Sequence, residues 1–343
     1  MPILTFKPKI ITRQLVSSLK DRTRDIVVQR YGLAENADKK TLEAIGDQYG
    51  ITRERIRQIT NFAFNVMKKS QPFEFAQNVF SEMKENIEKK GKILSERDIL
   101  THLAGNDPLT QNHIYFLLIL GDEFTKIKED EEFHHRWTVH LDHADKVHAG
   151  LRALHNEINE NDLISEKDII SSLKKHIEKI VEEKIDEEMA RVWLNLSKVV
   201  GQNAMGEWGK VSSPSISPRG VRDLAYLVLR KEGSPMHFAE VADKISSYFS
   251  KPANSATVHN ELIKDGRFVL VGRGLYALSE WGYKYGTVRD IIGDIIKSEG
   301  PSLKDDIIKK VLKERYVKEN TILVNLQNRN YFKRSKEGKY LIR

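Results

Sequence analysis

The chain of 343 residues contains no cysteine. That excludes a disulfide framework, a thiol nucleophile and any cysteine-based zinc site, and it fits a reducing cytosol. Long apolar runs are missing as well. The longest, residues 114–120, is far too short to span a bilayer. The N-terminus lacks the basic-then-apolar pattern of a signal peptide. No HExxH-type spacing and no local nucleophile signature occur, and the Gly272-Arg-Gly-Leu-Tyr turn is too short for a dinucleotide loop. Histidines gather at His134, His135, His140, His143, His148 and His155. Their spacing does not set them on one helical face, so the expectation is surface or helix-start residues and no metal. The acidic run from Glu182 to Glu188 suits a helix start, where acids are favoured. Neither catalysis nor a cofactor is expected.

What is present is a soluble, globular composition, 40% apolar and 31% charged, long enough for two or more domains. The net charge of +7 is unevenly spread. Residues 1–70 hold 14 Lys and Arg against 7 Asp and Glu; residues 71–212 hold 18 against 27; residues 213–343 hold 24 against 15. Basic ends suit a polyanion. An acidic middle is repelled by DNA and suits protein or solvent. The expected setting is cytoplasmic and nucleoid-associated, with no membrane partner.

The chain is organised around residues 41–59. Their pattern predicts a helix, a tight turn and a second helix, with Gly50 at the bend and Thr52 capping the second helix. At about 100° per residue, Ile56, Ile59, Ala63 and Val66 share one face. Arg53, Glu54, Arg57, Gln58 and Asn61 fall roughly opposite. These are base-reading side chains: Arg forks onto guanine, Gln onto adenine, and Glu accepts from the cytosine amine. A helix-turn-helix puts such a helix into the major groove.

The run Gly50-Ile-Thr-Arg-Glu-Arg-Ile-Arg-Gln-Ile59, with Leu42, Ile45 and Gly46 before it, resembles region four of the main bacterial sigma-factor family. So does the upstream segment around Arg22, Arg24, Ile26, Arg30, Tyr31, Gly32 and Leu33. The resemblance covers residues 15–69. It implies that this helix reads a promoter element and that the domain touches the flap of RNA polymerase core. Carried over by position, Arg53, Glu54, Arg57 and Gln58 are base readers, while Arg55 meets phosphate or protein. Thr60 departs from the family, which usually has an acid there. The sigma regions that grip the polymerase clamp and melt DNA have no room before residue 15, so the chain is not expected to be a complete sigma factor.

Beyond this domain the pattern repeats. Each unit has three helical segments and two short strands around a turn. The helices lie near 72–89, 95–103 and 110–120; 143–158, 165–180 and 184–197; 219–231, 238–249 and 256–264; and 286–298, 303–315 and 319–328. The last strand of each unit carries one aromatic, Trp137, Trp208, Tyr276 or Tyr340. Such regularity signals duplicated modules. The fold expected is mainly α: a helix-turn-helix domain (1–70), then tandem winged-helix modules with short β-hairpin wings (71–141, 142–212, 213–283 and 284–343). The Ser- and Pro-rich segment 211–220 reads as a flexible joint. Lys7, Lys9 and Arg13 read as a basic arm along DNA or a solvated tail.

The third module, through Gly233-Ser-Pro-Met-His-Phe238, the Thr257 to Phe268 run and Gly272-Arg-Gly-Leu-Tyr-Ala-Leu278, resembles a HARE-type winged helix. That domain occurs in the delta subunit of bacterial RNA polymerase and in chromatin and restriction proteins. The resemblance implies DNA-linked work, by binding nucleic acid or by docking on the polymerase. Arg267 and Arg273 would reach phosphates if the wing meets DNA; otherwise they are solvated turn residues. Lys333, Arg334 and Lys336 form a basic wing of the same kind in the last module. The leading expectation is a sigma-like transcription factor that binds double-stranded DNA and acts with RNA polymerase. The alternatives are a polymerase-binding scaffold without sequence-specific DNA binding, or a non-catalytic subunit of a restriction or defence system.

Overall fold

Pro8 opens the first helix, where its missing N–H costs nothing. In this computed structural model, which describes residues 4–181 and 184–343, the chain forms two compact units. The first comprises Met1–Gly201 and Trp208–Val211, the second Gln202–Glu207 and Ser212–Arg343.

The first unit begins with α1 (Pro8–Ser17), α2 (Asp21–Tyr31), α3 (Leu42–Tyr49) and α4 (Arg53–Lys68). The basic arm is therefore mostly a helix. Leu15 and Val16 of α1 are buried, and Lys9 and Arg13 pair with Glu35 at 2.5 and 3.1 Å. α5 (Gln71–Phe75) and α6 (Gln77–Lys90) divide at Ala76 what the apolar stripe presents as one helix. Then come β1 (Ile93–Ser95), α7 (Glu96–Ala104), α8 (Pro108–Leu120), β2 (Thr125–Ile127) and β3 (Arg136–Thr138). The next module holds α9 (Leu141–Glu157), α10 (Glu166–Val181), α11 (Glu187–Leu194), β4 (Val200–Gln202) and β5 (Trp208–Lys210). Of the acidic run expected at a helix start, residues 182 and 183 lie outside the described residues. Asp186 caps α11, its side chain accepting from the Met189 N–H.

The second unit holds α12 (Val221–Glu232), β6 (Met236–His237), α13 (Phe238–Phe249), α14 (Ser255–Lys264), β7 (Phe268–Gly272) and β8 (Leu275–Leu278). A 3₁₀ turn (Ser279–Trp281) leads to α15 (Val288–Glu299), α16 (Lys304–Glu314), α17 (Glu319–Leu326), β9 (Phe332–Arg334) and β10 (Tyr340–Ile342). The protein is mainly helical, with small antiparallel hairpin sheets.

One device recurs that the repeat pattern did not reveal. In every module the closing aromatic pairs, antiparallel, with a residue just before the second helix. The pairs are Leu94 with Trp137, Ile164 with Trp208, Met236 with Tyr276, and Ser302 with Tyr340. Each wing is thereby stitched back onto its helices. In the first and third modules the stitch is long enough to be a third strand, β1 or β6. Trp137 and Tyr276 are almost fully buried, the helix-covering role that an aromatic in a half-buried strand suits.

The connectors are packed. Residues 213–217 of the Ser- and Pro-rich segment form consecutive turns, with Ile216 and Ser217 both donating to the Ser213 carbonyl. Asn203 Nδ2 reaches the Ser215 carbonyl at 3.0 Å. The part of the Ser- and Pro-rich segment that lies in the second unit thus has local turns of its own. Within the second unit, the Tyr316 N–H donates to the Val271 carbonyl at 2.7 Å. Arg315, nearly fully buried, donates to the carbonyls of Lys284 and Gly286. The third and fourth modules are therefore joined along an edge of β7.

Candidate nucleic-acid interface

The turn before α4 is built from two caps and two glycines. Thr41 Oγ1 accepts from the Ala44 N–H at 3.1 Å, and Thr52 Oγ1 from the Arg55 N–H at 3.2 Å. Each satisfies one of the N–H groups a helix start leaves unpaired. Gly50 lies at φ +64° with open space around it, so backbone conformation is what demands glycine there. At Gly46 the reason is space. A Cβ there would stand 2.5 Å from the Ile51 carbonyl oxygen, which is how closely the turn folds back on α3.

α4 has two faces. Ile56, Thr60, Ala63 and Met67 are buried, and Ile56 meets Ile26 and Ile45 in a small core that holds the three helices together. The Thr60 hydroxyl donates to the Ile56 carbonyl at 2.9 Å. This is how a hydroxyl is accommodated where the sigma pattern has an acid. On the other face Thr52, Arg53, Glu54, Arg55, Arg57, Gln58 and Asn61 are all exposed.

The exposed polar side chains of α4 hold one another. Arg57 grips Glu54 with two hydrogen bonds, Nε to Oε2 at 2.9 Å and Nη2 to Oε1 at 2.7 Å. Arg55 Nη1 donates to Gln58 Oε1 at 3.1 Å. The hydrogen bond from Arg57 holds the Glu54 carboxyl below the usual range, and the same bond raises the Arg57 guanidinium. Exposed pairs of this kind are weak, and they limit the rotamers of these side chains.

The back of the domain is covered by the chain itself. α8 packs across α1 and α2, and Phe116 sits 5.4 Å from the Tyr31 ring and 5.9 Å from Phe64. Asn112 Nδ2 donates to the carbonyls of Gly32 and Ala37 at 3.0 and 2.9 Å. Thr12 Oγ1 and His113 Nδ1 share a bond of 2.6 Å. One core runs from Leu4 through Met67 to Trp137, so the helix-turn-helix is braced by the first winged module.

Residues 15–69 match the family model of Sigma-70, region 4. Residues 220–281 match HARE-HTH, a helix-turn-helix domain named in part for ASXL proteins and restriction endonucleases. Curated relatives agree on the first segment. The principal sigma factor HrdD of Streptomyces griseus is 46% identical over 55 residues, 16% of this chain and 16% of that one. The sigma factor RpoS of Coxiella burnetii is 52% identical over 44 residues, 13% of this chain and 12% of that one. SigA1 of Synechococcus elongatus is 51% identical over 45 residues, 13% of this chain and 11% of that one. The chain thus spans less than a fifth of the length of these relatives.

The region-four segment carries the residues from Thr52 to Asn61 on one helix. The remaining candidates belong to the second unit and are of two kinds. Arg267 is neither a loose wing cation nor a solvated turn residue. It donates to Asp223 at 2.8 Å and to Asp265 at 2.7 Å, and Asp223 is almost wholly buried. Hydrogen bonding to Arg267 pulls the Asp265 carboxyl down. Arg267 thus ties the start of α12 to the start of β7. Arg273, at the tip of the 272–274 turn, is exposed, as are Lys333, Arg334 and Lys336 of the last wing.

The histidines divide by burial. His148 is buried and accepts from Arg136 Nε at 2.8 Å. Burial first, then the nearby Arg136 and Arg152, pushes it down to about 4. Arg136 also donates to Asp130 Oδ2 at 2.8 Å and to the Lys128 and His134 carbonyls, so this pair fastens β3 to α9. Among the described residues no three His, Asp or Glu side chains are placed to hold a metal ion, and no helix is long and apolar enough to cross a membrane.

Residues that sequence reasoning passed over are Asn112, His113 and Phe62. The first two take their meaning from atoms that only folding brings near. Phe62 could have been found, because the periodicity of α4 puts it on the polar flank.

Proposed function

We propose that this protein binds duplex DNA in a transcription-related role, with α4 in the major groove and RNA polymerase core as its protein partner. The observation that carries this is the uncovered flank of α4. It presents Arg53, Glu54, Arg57, Gln58 and Asn61 to solvent, within a segment matching Sigma-70, region 4. The curated relatives are named as RNA polymerase sigma factors, which supports a promoter-type element as the target. N-terminal positions on the helix, Arg53 and Glu54, reach deepest, and Arg57 and Gln58 follow one turn on. The exposed cations Arg273, Lys333, Arg334 and Lys336 add phosphate contacts, which orient without reading sequence. We assign the chain no catalytic step. Selection of bound sequences from random duplexes by the full chain should return one enriched motif. Uniform recovery of all sequences would remove the specific-readout reading.

The charge pattern favours a second reading. Residues 71–212 carry 27 acidic against 18 basic side chains, a balance that meets protein more readily than DNA. On that reading the chain binds RNA polymerase without reading sequence. Because α8 covers the apolar back of the region-four segment, such docking would use charged surface. Capture of core polymerase that survives nuclease treatment, without any enriched motif, would establish this reading in place of the first.

A further inference from the structure

α4 carries two phenylalanines of opposite fate. Phe64 turns inward, 5.7 Å from Tyr31 and 5.9 Å from Phe116. Phe62 points into solvent and is 64% exposed. The core beneath α4 is filled by Ile56, Thr60, Ala63 and Met67, so packing gives no reason for a large ring at position 62.

Its place on the helix does. Phe62 is four residues past Gln58 and seven past Arg55. At about 100° per residue both steps return to the same flank. A recognition helix lying along the groove reads at just such offsets of three, four and seven. One turn away from Phe62 on α4 stand Gln58 and Asn65, both exposed, and Ile59 and Val66, both half-buried against the cores beneath. A protein-docking helix would offer a contiguous apolar stripe at the centre of its contact. Here Phe62 is the one exposed apolar side chain of α4, and Ile59 and Val66 beside it are half-covered by the core. The surface that matches is the major groove, where donors and acceptors are interrupted by single apolar points, the thymine 5-methyl groups.

We infer that Phe62 packs on the 5-methyl group of a thymine in the target duplex and so specifies that base. The inference rests on the major-groove reading of α4 proposed above. Four residues advance the helix by about 6 Å, close to two base-pair steps at about 3.4 Å each. The thymine therefore lies about two steps beyond the base read by Gln58, toward the C-terminal end of α4.

The test uses the full chain and the duplex it enriches from the random pool. Each thymine is replaced in turn by deoxyuridine, which removes the methyl group alone. One replacement, at the expected offset, should weaken wild-type binding about fourfold, the worth of one buried methyl-sized group. Phe62→Ala should bind the thymine and uracil duplexes equally, and Phe62→Leu should keep part of the difference. Alanine is the better helix former at an exposed site, so an unchanged circular dichroism spectrum is expected. The inference falls if no replacement affects the wild type, or if the sensitivity survives in Phe62→Ala. It also falls if Phe62→Ala loses polymerase capture while DNA binding is untouched, which makes the ring a protein contact. Failure to enrich any sequence is a different result: it overturns the groove reading and this inference with it.

Discussion

Thr12 and His113, 101 residues apart in the chain, meet through a 2.6 Å hydrogen bond inside the first unit. The bond fastens α1 to α8. With Asn112 reaching the Gly32 and Ala37 carbonyls, it makes the helix-turn-helix part of a larger body. α4 is therefore held from behind by the module that follows it.

Acid should loosen that hold. Burial first, then Lys9 and Arg13, pushes His113 down to about 4, and His148 lies at a similar value. In the unfolded chain both take up a proton near about 6.5. The unfolded state thus binds more protons between these values, and stability falls as pH drops from about 6.5 toward 4. Each histidine contributes on the order of 2–3 kcal/mol to this loss. Urea unfolding followed by the fluorescence of Trp137, Trp193 and Trp208 should show the slope, and His148→Gln should flatten it. An unchanged slope would mean that His148 titrates normally in the folded protein.

Arg57→Ala and Gln58→Ala should each cost about 1–3 kcal/mol of discrimination at the contacted base. Competition between the enriched duplex and single-base variants measures it. Both residues are exposed, so melting temperature should stay put. A uniform loss across all duplexes would assign them to phosphate.

The two wing arginines of the third module should behave differently. Arg267→Ala leaves the buried Asp223 without its cation and should destabilise the second unit by about 1–3 kcal/mol, allowing for partial solvent screening. Arg273→Ala should leave stability alone. Together with Lys333→Ala, Arg334→Ala and Lys336→Ala, it should reduce the salt dependence of DNA binding by about 0.9 in logarithmic slope for each phosphate no longer neutralised. Thermal melting and binding across a salt series separate the two. Stable Arg267→Ala protein with weakened DNA binding would reverse the assignment.

The two glycines of the turn fail for different reasons. Gly46→Ala puts a Cβ against the Ile51 carbonyl at 2.5 Å and should cost about 1–3 kcal/mol as the turn is forced open. Gly50→Ala has room but must hold a left-handed backbone, at about 1–2 kcal/mol. Gly50→Asn should be milder, because Asn tolerates that region. Equal tolerance of both alanines in thermal melting would contradict the geometry.

Helix positions, wings and the two faces of α4 follow from local periodicity, so they were readable in advance. Ile56 and Ala63 inward with Arg57 and Gln58 outward needs nothing beyond about 3.6 residues per turn. The closing aromatics were visible as a repeat, but not their partners. Leu94, Ile164, Met236 and Ser302 stand far from them in sequence, and a two- or three-residue strand has too little pattern to see.

By itself the amino-acid sequence determined which side chains α4 offers and where its turn bends, because spacing, capping and glycine act within a few residues. Only the tertiary structure decided which cations stay available. Arg267 and Arg273 are alike in type and close in number, yet one is locked between two carboxylates and the other stands in water. Asp265, one of the two carboxylates, is a local neighbour; the other, Asp223, is set beside Arg267 by packing over dozens of residues and leaves no trace in local pattern.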